Sequence, residues 1–255
     1  MACRLQLWGG MNLGLYLGAA ALGALERWQD ATSSNIAASS TPGFRKREVQ
    51  FSMQDAGAIE NGATRASAVS HAQFPTGNVS VSFHPGQFIG TGRELDVAIR
   101  GDGFFEVQTT DGNTAYTRAG SFYTNTDRTL VDAQGNLLLG EGGAPIQLLP
   151  EGGPLAIAPD GTLSQGGQQI GRLTIQRFEN PQGLRPLSGG LFAANGQAPE
   201  PVEQPELMQG SLETSNVQPV GEMVNLIQIN RAYEAAQKLI TTRDDLMDKT
   251  IRSVT

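Results

Sequence analysis

The stretch VGEMVNLIQINRAYEAAQKLITTRDDLMDKTIRSV, Val220 to Val254, decides the fold. Leu226, Tyr233, Ile240, Met247 and Val254 recur in it at seven-residue intervals. Ile229, Ala232, Ala236, Leu239 and Leu246 widen those positions into one apolar face at the period, about 3.5 residues, of packed helices. The remaining surface carries Glu234 with Lys238, Asp245 with Lys249, and Asp248 with Arg252, each acid one turn ahead of its base, the favourable order on a helix. Pro219 suits the first helical position and Glu222 the first turn. At about 1.5 Å per residue the helix is roughly 50 Å long. A rod of that length overhangs a compact domain, so its apolar seam requires another helix, from this chain or a neighbour.

Composition restricts what the rest can be. Among 255 residues there are 32 Gly and 13 Pro, a chain rich in turn formers, and 6% aromatics, which predicts a modest, strand-like core. The net charge of -7 argues against a nucleic-acid partner, because phosphate recognition needs concentrated Lys and Arg. The acidity reads as a solubility device. Cys3 is a lone cysteine and has no disulfide partner; with only His71 and His84 beside it, no zinc spacing exists.

Leu5 to Leu25 follows Arg4 without a charge and, out of context, resembles a signal peptide or short membrane span. Leu17, Ala21, Ala24, Trp28 and Ala31, however, step by four, three, four and three residues, so one apolar helical face runs through the supposed cleavage region into polar sequence. A helix from Met11 to Ala38 is predicted, with residues 1–10 fitting nothing downstream, which leaves Met1 or Met11 open as the start. Pro42 and Gly43 then break regular structure, Phe44 reads as an anchor, and Arg45, Lys46 and Arg47 read as a solvated loop face. The composition of Phe51 to Thr76 shows no pattern and predicts a mobile linker or a segment ordered only by partners.

Strand signals follow. Val79 to Phe83 and Leu95 to Ile99 alternate in polarity, Asp111-Gly112 marks a hairpin, and short apolar runs at Ile146 to Leu149, Leu155 to Ile157 and Gly171 to Phe178 are separated by turn signals. The expected fold class is therefore α+β: long N- and C-terminal helices pairing as a coiled coil, with an all-β antiparallel domain inserted between them. The expected divisions are 1–50 for the first helix and its turn, 51–78 for a flexible linker, 79–205 for the β domain and 206–255 for the C-terminal helix.

No catalytic chemistry is legible. The Asp-Gly pairs lack the alternating acids of a calcium loop, the glycine pairs open no phosphate-binding helix, and His84 has no nucleophile beside it. The prediction is of a non-enzyme without cofactor or metal, binding neither nucleic acid nor a small-molecule substrate.

Linked motifs carry a resemblance. Asn35-Ile-Ala-Ala-Ser-Ser-Thr-Pro-Gly-Phe44, Leu95 to Phe105, Tyr116 to Gly120, Gly210 to Val217 and Arg231-Ala-Tyr-Glu234 together resemble the flagellar basal-body rod and hook family, over nearly all of residues 11–250. Within it the likeness is to the proximal rod branch first and the distal second. Ala38 stands where the family motif has an asparagine, and Arg128 where it has a turn glycine. The resemblance implies a self-assembling axial subunit of the rod crossing the periplasm, exported by the flagellar type III apparatus without a cleaved signal. Its partners would be other rod subunits and that apparatus. It also implies that the terminal helices pack as an inner coiled-coil layer, and their apolar periodicities put the assembly seam at Leu17, Ala21, Ala24, Trp28, Leu226, Tyr233, Leu239, Ile240 and Met247. Asn35, Thr41, Pro42, Gly43, Phe44, Ser215, Asn216 and Val217 carry the family motif. The other reading of the residues, a secreted or membrane-anchored β-rich enzyme or binding module, rests on the uncharged run at the start.

Overall fold

The computed structural model describes residues 4–59, 70–150 and 152–254. They form an α+β chain: helix α1 (Arg4–Ala37), strands β1 (Arg47–Ile59) and β2 (Ser70–Val81), a run of short strands from Phe88 to Glu213, and helix α2 (Pro219–Val254). The chain divides into two compact units. One gathers the described residues of Met1–Ile36, Arg47–Ser80 and Pro219–Thr255, and the other gathers Ala37–Lys46 and Val81–Gln218.

In the helical unit, α2 begins at Pro219, as the sequence predicts, with Glu222 in its first turn and Arg252 in its last. Opposite charges at the two ends of the helix complement its dipole. Two contacts fix how the helices run. A Cβ added to Gly18 would meet Ile240 Cγ1 at 3.1 Å, and Asn35 Nδ2 donates to Glu222 Oε2 at 3.3 Å. Going from Gly18 to Asn35 along α1 is going from Ile240 back to Glu222 along α2, so the helices are antiparallel over about 26 Å. Helix α1 starts at Arg4, so residues 4–10, expected to fit nothing downstream, are helical.

The segment 51–78, expected as a flexible linker, is largely a two-stranded ribbon of β1 and β2; residues 60–69 lie outside the described residues. Ser52 Oγ meets Thr76 Oγ1 at 3.1 Å and Ser80 Oγ donates to the Glu48 carbonyl at 3.4 Å, so the strands run antiparallel. Val49, Phe51, Gly77 and Val79 share one face and Glu48, Gln50, Ser52, Asn78 and Ser80 the other. The apolar face lies on α1. A Cβ on Gly77 would fall 3.1 Å from Val49 Cγ1 and 3.3 Å from the Ala24 carbonyl. Phe51 meets Trp28 edge to face with centroids 5.5 Å apart. Arg27 Nη1 donates to the Gly77 carbonyl at 3.0 Å.

In the β unit the strands, in order, begin with β3 (Phe88–Gly90), β4 (Val97–Arg100), β5 (Phe104–Gln108) and β6 (Thr114–Thr117). The hairpin of β5 and β6 turns at Asp111-Gly112, where Gly112 adopts φ +81°. It is the centre of a mostly antiparallel sheet whose buried side includes Phe105, Val107, Leu138 and Ile175. A second cluster packs Phe104, Tyr116, Phe178 and Phe192 together. The strands Leu155–Ile157, Thr162–Gln165 and Gln168–Arg172 form a separate meander.

The β unit extends past the expected limit of residue 205. Glu206–Gln209 pairs with β4 and Ser211–Glu213 with β3, burying Leu207 and Leu212, so only Pro219 onward is helix. The expected strand at Ile146 to Leu149 is reduced to an isolated bridge between Thr129 and Gln147. Arg128 takes φ +60°, the left-handed conformation that its glycine-like position requires. Ala38 is not among the residues with positive φ, so alanine there carries no such strain.

Candidate assembly surface

Each unit carries candidate features of its own: a polar clasp and two helix faces in the helical unit, and a second polar clasp in the β unit. In the helical unit, Asn35 is 1% exposed. Its Oδ1 accepts from Arg47 N and its Nδ2 donates to the Arg47 carbonyl, both at 2.8 Å, a two-way clasp on the backbone where β1 begins. The same Nδ2 reaches Glu222 on α2. One side chain thus ties α1, β1 and α2, and asparagine is required because it both donates and accepts.

In the β unit, Thr41 N donates to the Ala38 carbonyl and Phe44 N to the Thr41 carbonyl, closing the turn through Pro42 and Gly43. Gly43 has φ +67°, and a Cβ there would overlap the Arg118 carbonyl and the Ala119 nitrogen. Phe44 is buried beyond the turn. Asn216 repeats the clasp: Oδ1 accepts from Lys46 N at 2.7 Å, and Nδ2 donates to the carbonyls of Ser82 at 2.9 Å and His84 at 2.8 Å. Arg45, expected in solvent, is buried and pairs with Glu213 at 2.7 Å. Arg118 Nε lies 3.9 Å from the same carboxylate, and burial pulls its guanidinium down to about 10, against the lifting effect of Glu213, so it stays charged at neutral pH. A buried pair of this kind orients its segments more than it adds net stability.

The residues expected at the seam differ in burial within the chain. On α2, Ile229 is fully buried, Glu222 is buried, and Leu226, Tyr233 and Ile240 are half-buried along the same side. On α1, Ala24 and Ala31 are buried and Ala21 is half-buried, while Leu17 is 36% exposed. The stripe divides its work differently from expectation. Ala24 and Trp28 meet the ribbon, whereas α2 is met through Gly18 and Asn35, beside that stripe. The side chain of Met247 lies outside the described residues. Leu239 does not join the side that faces α1; it is 72% exposed, and Leu246 is 58% exposed. Val220, Met223, Val224 and Ile227 are also about half exposed or more, on the opposite side from Ile229.

Sequence reasoning passed over two participants. Gly18 is visible only as a glycine in an apolar run until its close approach to Ile240 explains it. The ribbon was signalled by Val49-Gln50-Phe51-Ser52-Met53-Gln54, an alternation interrupted by the small polar residues that follow.

Among the described residues no group of three or more His, Cys, Asp or Glu side chains is placed to hold a metal ion. No helix among them is long and apolar enough to cross a membrane.

Comparisons with known proteins agree in kind. The family described as "Flagellar basal body rod FlgEFG protein C-terminal" matches residues 208–253, and "Flagellar hook protein FlgE/F/G D1 domain" matches residues 98–165. The flagellar basal-body rod protein FlgF of Caulobacter vibrioides is 35% identical over 239 residues, covering 92% of this chain and 95% of that protein. FlgF of Mesorhizobium japonicum is 34% identical over 248 residues, covering 96% and 98%. The rod protein FlgG of Buchnera aphidicola is 34% identical over 258 residues, covering 92% and 97%.

Proposed function

This chain belongs to the flagellar basal-body rod protein family, FlgF type first, and we propose that it is built into the rod through the faces of its two terminal helices. It is a structural subunit of the flagellar basal body and assembles with other rod or hook components. The secreted or membrane-anchored enzyme is not favoured. In the finer reading the subunit is of the proximal rod. It passes through the flagellar export apparatus without a cleaved signal and takes its place in the periplasm. Its helices form a coiled-coil layer with those of neighbouring subunits.

The observation that supports this best is the apolar surface α2 leaves uncovered. Val220, Met223, Val224, Ile227, Leu239 and Leu246 are exposed although α1 already lies along the other side. Groups of large apolar side chains left exposed on a helix mark an interaction surface. A polymer subunit needs surface left over after its own core is made.

The test is truncation in the native host. Removing residues 220–255 is expected to abolish motility and incorporation into basal bodies while the β unit keeps its circular dichroism. A truncated chain that still enters basal bodies and supports swimming overturns the reading.

A further inference from the structure

Inside the β unit one buried guanidinium is only half used. Arg45 is 2% exposed, and its Nη1 donates to the His84 carbonyl at 2.8 Å and to Glu213 Oε1 at 2.7 Å. Its Nε and Nη2 are shut off from water and have no hydrogen-bond partner among the described residues. These two nitrogens form the side edge of the guanidinium, the fork that grips a carboxylate through two parallel bonds. Buried donors left without acceptors cost free energy until something fills them.

The surroundings say what fits. Arg45 lines a cavity of about 360 Å³, toward the low end of the range, about 300–1,000 Å³, of pockets that hold small ligands. Phe83, Phe104 and Phe178 wall it, the Phe104 ring centroid standing 6.0 Å from that of Phe83 and 5.9 Å from that of Phe178. Arg118 lines it as well, with its guanidinium 5.7 Å from the centre of the Phe104 ring. Glu213 lies between the two arginines; its Oε2 is unpartnered and 3.9 Å from Arg118 Nε. Two buried arginines thus share one buried carboxylate, and one positive charge is left over. The remaining acids that line the cavity reach solvent: Asp102 and Glu179 are exposed, and Glu200 pairs with Arg177 at 3.1 Å.

We propose that this cavity binds a small organic monocarboxylate, its carboxylate in the Arg45 fork and its apolar body against the three phenylalanine rings. A single negative charge matches the charge left over. Phosphate carries more charge and no apolar body, and the acids at the rim repel it. Because the fork is shielded, a side chain of the wall gives way as the ligand enters. The rod reading does not depend on this site.

The experiment titrates the purified full chain with para-fluorobenzoate, followed by fluorine NMR. Saturable broadening is expected, reversed by benzoate and by neither benzamide nor inorganic phosphate. Arg45→Lys keeps the charge beside Glu213 but removes the fork, and should weaken binding about tenfold or more. Absence of saturable broadening, displacement by benzamide or phosphate as readily as by benzoate, or unchanged affinity in a folded Arg45→Lys chain overturns the proposal and leaves the rod reading standing. Should Arg45→Lys fail to fold, Asp102→Asn replaces it, since Asp102 is exposed. Loss of that acid from the rim should tighten binding about twofold or more, and unchanged or weaker binding overturns the site.

Discussion

Gly43→Ala isolates the turn after α1 more sharply than any other change. Gly43 sits at φ +67°, where an alanine costs about 1–2 kcal/mol. Its Cβ would also overlap the Arg118 carbonyl and the Ala119 nitrogen, both backbone, so neither neighbour can rotate away. The turn must withdraw. Withdrawal breaks the bonds from Gly43 N to the Glu213 carbonyl and from Asn216 N to the Phe44 carbonyl, at about 1 kcal/mol each. It also uncovers part of Phe44, now 5% exposed, at about 1–3 kcal/mol. The expected loss is about 4–7 kcal/mol, a large share of the roughly 5–15 kcal/mol that holds a typical domain. Gly142→Ala is the control, because Gly142 has φ +79° and open space where a Cβ would go. It pays only the conformational cost, about 1–2 kcal/mol. Urea unfolding of both full-length variants, followed by far-ultraviolet circular dichroism, compares them directly. A Gly43→Ala chain that accumulates unfolded while Gly142→Ala folds counts as the expected outcome. Equal losses, within about 1 kcal/mol, would refute the claim that the turn is wedged against the 118–119 backbone.

Ile229→Ala empties a fully buried position on α2 and should cost about 2–5 kcal/mol in the same assay; a loss under about 1 kcal/mol would mean the helices do not pack there. Arg128→Gly relieves a left-handed arginine while adding chain entropy to the unfolded state, so a small net gain, on the order of 0.5 kcal/mol, is expected in the urea midpoint. Leu239→Asp should leave the unfolding midpoint of the isolated chain nearly unchanged, since Leu239 is 72% exposed, yet block incorporation into basal bodies by placing a charge in an apolar contact. Lys249→Glu, a change on the charged surface, should affect neither. If both variants assemble equally well, Leu239 is not at an interface.

The periodic elements were the legible ones. Helix α2 announced both its start, at Pro219, and its apolar face, because seven-residue spacing sustained from Leu226 to Val254 fits a packed helix and neither a strand nor a loop. The β5–β6 hairpin was signalled by its Asp-Gly turn. The ribbon carries only a short signal, because the six alternating residues from Val49 to Gln54 merge into a stretch of small polar residues, and its stability comes from lying on Ala24 and Trp28 rather than from propensity. The last strands were missed for a similar reason: Leu207 and Leu212 count as strand residues only once β4 and β3 are beside them. Likeness to a family singled out Asn35 and Asn216, but their roles as backbone clasps depend on partners 12 to 187 residues away in sequence for Asn35 and 132 to 170 away for Asn216. Arg45 shows the limit of local charge reading, since its partner Glu213 is 168 residues distant.

Mass spectrometry of hook–basal bodies purified from the native host tests the central claim most directly. Peptides of this chain are expected in the rod-containing fraction, resistant to salt washing and present alongside the other rod proteins. Finding the chain only outside that fraction, in cells whose basal bodies are complete, would contradict the account.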